Sequence, residues 1–159
     1  MSAPATGSAP CLWLTGRRGA GKRTIAALAE NARHDDGLPA AVLDAEALTE
    51  HLARGPQEDG LASLAWLANL LTGNGIPVIV TVDTPRRADR EPLRAAITRF
   101  VEVLVDAPVE LCAERAGLED RGYEAPIAPD LRVPTGDRDA RASAALLLSY
   151  LETLTEPTS

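Results

Sequence analysis

Residues 16–24 read Gly16-Arg17-Arg18-Gly19-Ala20-Gly21-Lys22-Arg23-Thr24, directly after the apolar run Cys11-Leu12-Trp13-Leu14-Thr15. The spacing fits G-x-x-x-x-G-K between an expected strand and an expected helix. Glycines allow successive backbone N–H groups to turn inward around phosphate oxygens, and the helix N-terminus adds partial positive charge. An ammonium group at Lys22 reaches the β- and γ-phosphates of a nucleotide and follows charge during transfer. The bland alternative is a glycine-rich strand–helix turn with solvated arginines. Agreement of motif and setting argues against it, and so does composition. Of the 16 basic residues, Lys22 alone is lysine, as expected where a compact ammonium is required.

The motif departs at Arg23, where a Ser or Thr hydroxyl ordinarily ligates Mg²⁺. A guanidinium has no lone pair for a metal. Thr24 follows, but about 100° further round the helix.

Outward from the loop, short apolar runs alternate with helical patterns. Helices are expected over Gly21–Arg33, Glu46–Ala53, Leu61–Leu71, Arg87–Thr98, Pro108–Ala116 and Asp139–Leu154. In the last, Leu147, Leu151 and Leu154 should face inward. Strands are expected over 11–16, Pro39–Asp44, Ile76–Asp83, Phe100–Asp106 and, more weakly, Leu131–Val133. The run Ile76–Asp83 is too apolar for a half-exposed strand and should be buried on both faces. Such alternation predicts an α/β fold: a P-loop NTPase-type, doubly wound parallel sheet of about five strands with helices on both faces. Its working edge lies at the carboxyl ends of the strands.

Length sets one domain, expected over residues 11–155 behind a frayed arm over 1–10. The 159 residues, 45% apolar and 25% charged, suit a soluble globule. A net charge of -7 disfavours general affinity for nucleic acid or anionic membrane. No apolar stretch approaches a membrane span, and MSAPATGSAP lacks a signal-peptide plan, so the expectation is cytoplasmic. Cys11 and Cys112 match no metal-ligand spacing and are expected as buried, reduced thiols. His34 and His51 likewise form no ligand pair.

Two carboxylates end expected strands. Asp44 is the candidate general base or water-mediated metal ligand; the alternative is an N-cap for the helix beginning at Ala45. Asp83, after VIVTV, either holds Mg²⁺ through water, pairs with Arg23 in the metal's place, or merely opens a turn.

Several segments together resemble the adenylylsulfate kinase family, which makes 3′-phosphoadenylylsulfate from ATP and adenylylsulfate. They are WLTG with GAGK (13–22), Val42-Leu43-Asp44, Pro85 with Arg87-Ala88-Asp89-Arg90, FVEVLVDAP with ELC and ER (100–115), and Tyr123-Glu124-Ala125-Pro126. The resemblance implies an ATP-dependent phosphotransferase acting on a small-molecule hydroxyl, with Lys22 and Asp44 catalytic. It also implies a homodimer, and the loop and strand-end readings add nucleotide held by residues 16–24 and Mg²⁺ held through water at Thr24 and Asp83. Acceptor-binding candidates are Glu46, Arg87, Arg90, Arg115, Arg121 and Tyr123.

The acceptor side departs from the family pattern. D-G-D-N has become Asp44-Ala45-Glu46-Ala47. The Asn and two Arg that open the next helix are absent from GLAS (60–63). Arg86 replaces an aromatic residue, and the long basic lid has shrunk to AGLEDRG (116–122). Removing two or three charged contacts at ~1.5–3 kcal/mol each would weaken binding of a sulfate–phosphate anhydride a hundredfold or more. The expectation is therefore an acceptor other than adenylylsulfate, or a nucleotide-binding sensor or partner subunit without turnover.

Overall fold

The computed structural model describes residues 7–52, 60–117 and 122–156. Five strands form one sheet: β1 (Cys11–Thr15), β2 (Ala41–Asp44), β3 (Val78–Thr81), β4 (Phe100–Asp106) and β5 (Leu131–Pro134). The order is β2-β3-β1-β4-β5, and every pairing is parallel. Because β1 is central, the loop that leaves it opens at the middle of the sheet edge.

Alternation along β1 divides the core in two. Leu12 and Leu14 point to one face, where Ile25 and Ala29 of α1 (Lys22–Asp35) meet Leu147 and Leu151 of α6 (Ala140–Thr155). Cys11 and Trp13 point to the other face, against Leu64 and Ala68 of α3 (Gly60–Gly73) and Leu93 of α4 (Arg87–Ala96). These four side chains of β1 are fully buried, a contribution of about 1.5–3 kcal/mol for each of the larger ones. The shorter α2 (Ala45–Leu52) and α5 (Val109–Ala116) flank the carboxyl edge. The expected fold class is the observed one. β3 is buried along its whole length, as its composition requires.

Differences lie at element ends. The chain is tied down before residue 11: Ala9 N–H donates to Thr72 O, and the Ser8 carbonyl accepts from Arg99. The expected frayed arm therefore does not extend to residue 10, and residues 1–6 lie outside the described residues. β3 stops at Thr81, so Asp83 lies beyond the strand. α4 runs through Pro92 and ends at Ala96 rather than Thr98. Asp139 caps α6 by accepting from Arg141 N–H at 2.7 Å. Leu147 and Leu151 are fully buried, whereas Leu154 is only partly so. Among the described residues no helix is long and apolar enough to cross a membrane.

Candidate active site

Parallel register sets the site. Asp44 on β2 is level with Thr81 on β3, and Thr81 is level with Leu14 on β1. The three strands thus deliver their ends, and the residues just beyond, to one rim. There a cleft of about 670 Å³ is lined by the loop and α1, by the β2–α2 corner, by Thr81–Asp83 and by Arg115 and Ala116 of α5.

The loop is held by the backbone around it. A Cβ on Gly16 would stand 2.5 Å from the Val105 carbonyl oxygen, and one on Gly19 would stand 2.6 Å from that of Cys112. Gly19 also has φ +81°, which side chains rarely adopt. The Ala20 carbonyl accepts from the buried Thr135 hydroxyl at 2.7 Å, and the Gly19 carbonyl accepts from Arg115 at 3.3 Å. Lys22 begins α1 and is only 8% exposed. Its Nζ donates to the carbonyls of Gly16 at 2.6 Å and Arg17 at 3.1 Å, across the mouth of the loop. Asp83 Oδ1 is 3.6 Å from Lys22 Nζ, and Asp83 Oδ2 is 3.0 Å from Arg18 Nε.

Asp44 is the most engaged carboxylate of the cleft. Oδ1 accepts from Ala47 N–H at 3.0 Å, the helix cap foreseen as its alternative role. Oδ2 accepts from the Thr81 hydroxyl at 3.1 Å and faces Arg23 Nε at 2.6 Å. Burial alone lifts its pKa, but the Ala47 and Thr81 hydrogen bonds and the Arg23 charge outweigh burial. The net effect holds the carboxyl below its usual value. Glu46 takes the other arm of Arg23, at 3.0 Å. The pair between Arg23 and Asp83 is not formed: Asp83 is engaged by Lys22 and Arg18, while the Arg23 side chain runs to the β2–α2 corner.

The remaining acceptor candidates separate. Arg115 and Glu46 line the cleft. Tyr123 stands beside it, its hydroxyl 2.9 Å from Thr15 Oγ1 and its ring beneath the Arg17 and Arg90 guanidiniums at 5.4 and 5.6 Å. Arg90 is 3% exposed and bonded to Glu102 and to the carbonyls of Thr84 and Glu124. Arg87 holds the same 124–125 segment, donating from its backbone to Glu124 Oε2 and from Nε to the Ala125 carbonyl. These two arginines anchor the Tyr123 segment instead of lining the cleft. Arg121 lies outside the described residues, as does most of the shortened lid.

Sequence reasoning missed Thr81, Thr135 and the Arg23 fork. Thr81 was detectable, since a hydroxyl near the end of the apolar run Ile76–Asp83 falls on the rim, at the last residue of β3 and level with Asp44. For the other two, partners far apart in sequence leave no local signal.

A magnesium ion bridging nucleotide phosphates draws on a hydroxyl after the lysine and a carboxylate from a neighbouring strand end. Here the first position is a guanidinium, Asp44 and Glu46 carry that guanidinium, and Asp83 carries Arg18 and Lys22. Among the described residues no group of three His, Cys, Asp or Glu converges on a metal position. Thr24 lines the cleft, but a single hydroxyl is a poor donor set. The residues present do not fit a divalent ion.

The central-strand loop, its lysine and the parallel sheet define a P-loop nucleotide-binding domain of the small-molecule kinase type. The profile for adenylylsulphate kinase matches residues 8–122. The adenylyl-sulfate kinase of Synechococcus sp. (strain JA-2-3B'a(2-13)) is 31% identical over 163 residues, covering 89% of this chain and 93% of its own. That of Gloeothece citriformis (strain PCC 7424) is 32% identical, covering 90% and 94%. The Mycobacterium tuberculosis APS kinase CysC, solved with AMPPNP and APS, superposes with a TM-score of 0.80 at 29% identity, covering 92% of this chain and 99% of that one. The chain belongs to the adenylylsulphate kinase family.

Proposed function

We propose that the protein is an ATP-dependent phosphotransferase that passes the γ-phosphoryl group of ATP to a hydroxyl of a small molecule, in the cytoplasm. The observation that carries this reading is the Lys22 ammonium bridging the mouth of the glycine loop, in one cleft with Asp44. In this role the loop N–H groups bind the β-phosphate, while Lys22 and Arg115 neutralise charge that builds on the transferring group. Asp44, ionised at neutral pH, orients the acceptor hydroxyl and receives its proton late in transfer.

Adenylylsulfate is the acceptor of the relatives named above. The missing arginines at Gly60–Ser63 and the acidic remnant of the lid support a smaller or less anionic acceptor here, bounded by Glu46 and Arg115. One observation favours a second reading, a nucleotide-binding sensor or partner subunit without turnover: Asp44 is already engaged by Arg23. ADP formation from ATP, measured with adenylylsulfate and a panel of hydroxylated metabolites, tests the proposal. Turnover with one of the panel supports it. ATP binding without turnover for any acceptor rejects it in favour of the second reading.

A further inference from the structure

We infer that this site takes a nucleoside triphosphate without a divalent metal ion, the guanidinium of Arg23 supplying the positive charge that an ion otherwise brings. The inference rests on the proposed reading of residues 16–24 as a triphosphate cradle and adds what that cradle binds: the free polyphosphate, not its metal complex.

Three observations converge. Arg23 occupies the one position of the motif from which a hydroxyl ligates the ion, and its side chain lines the same cleft as Gly19, Gly21 and Lys22. The carboxylates that would hold a metal directly or through water are taken up by cations: Asp44 and Glu46 by the Arg23 fork, Asp83 by Arg18 and Lys22. Among the described residues lining the cleft, four cations (Arg18, Lys22, Arg23, Arg115) face three carboxylates (Asp44, Glu46, Asp83). With a serine at position 23 the tally would be three against three, and a triphosphate entering a neutral cleft would need its own counter-ion. With arginine the cleft is already positive, and a divalent ion beside the guanidinium would meet like-charge repulsion.

The guanidinium is free to change partners. Its side chain is 62% exposed and that of Glu46 is 72% exposed, so water competes for their pair. The planar fork that spans two carboxylates matches two phosphate oxygens equally well. On binding, the outer arm of Arg23 moves from Glu46 to the phosphates while the guanidinium stays beside Asp44, where its charge disfavours a divalent ion.

Titration calorimetry with ATP on the full-length protein, in excess EDTA and in excess Mg²⁺, tests this. The expected result is a wild-type affinity that differs by less than about threefold between the two buffers. Arg23→Ser, which restores the hydroxyl and removes the charge, should lose about tenfold or more in EDTA and regain it with Mg²⁺. Thermal unfolding of the variant should fall only slightly below wild type, because the replaced side chain is 62% exposed and its pair with Asp44 is open to water. Wild-type binding about tenfold tighter with Mg²⁺, or Arg23→Ser behaving like wild type in both buffers, overturns the inference while leaving the cradle intact. No ATP binding by the wild type in either buffer overturns the cradle reading itself, and this inference with it.

Discussion

Arg90 Nε lies 3.3 Å from Glu102 Oε2, and the two side chains are 3% and 10% exposed. The pair joins α4 to β4 beneath the Tyr123 segment, and the remaining guanidinium nitrogens donate to the carbonyls of Thr84 and Glu124. An arginine that reads by motif as a phosphate or acceptor contact is here the post on which the segment beside the cleft is mounted. Removing one partner of a buried pair strands the other. Arg90→Ala should therefore cost about 3–5 kcal/mol in urea denaturation, towards the low end because Arg94 also reaches Glu102. A loss below about 1 kcal/mol would show that the pair carries no structural load.

Lys22→Ala should leave the fold standing, since the ammonium spans loop carbonyls and Asp83 at the cleft and is not part of the apolar core. ATP affinity should fall by about tenfold to a hundredfold, the worth of one charged hydrogen bond. Fluorescent-nucleotide titration measures it. Unchanged affinity would remove the loop from the site.

Gly19→Ala tests the loop's backbone. Its Cβ would meet the Cys112 carbonyl at 2.6 Å, at a φ of +81°, and the strain should cost about 1–3 kcal/mol. Because the loop must shift to relieve it, ATP binding should weaken as well. Gly60→Ala, where a Cβ meets nothing within 4 Å, should be neutral or slightly stabilising. Equal behaviour of the two variants in thermal unfolding would refute the steric argument.

The lowered pKa of Asp44 makes a signed prediction for acid stability. A carboxyl whose folded value lies below its unfolded value, about 3.9, stabilises the fold above that pH. The contribution is lost as pH falls through the folded value. Asp44→Asn should accordingly be less stable than wild type at neutral pH, with the gap closing below about pH 4. A constant gap across the acid range would mean that the Ala47, Thr81 and Arg23 contacts do not favour the ionised form.

Burial pushes the Cys11 thiol up to about 12 and also raises that of Cys112. Both should resist a thiol reagent at neutral pH in the native protein and react fully once it is unfolded. Fast native labelling of either would place it nearer solvent than the 0% and 2% exposures of Cys11 and Cys112.

What could be read along the chain was local. Glycine spacing, a lone lysine, a doubly apolar strand and the cap at Asp44 each depend on a few neighbouring residues, so their physics is present in the one-dimensional pattern. These determined the parallel sheet, the loop on its first strand and the rim where the chemistry gathers. Parallel register turned that rim into a cleft by setting Asp44 level with Thr81. Only the tertiary structure decided which cation meets which carboxylate. Fifteen arginines are alike in sequence, and a long side chain selects its partner through space. Arg90 went inward to Glu102, Arg18 went to Asp83, and Arg23 turned from Asp83 to Asp44 because backbone direction and distance, not neighbours in the chain, set the Coulomb energy of each pair.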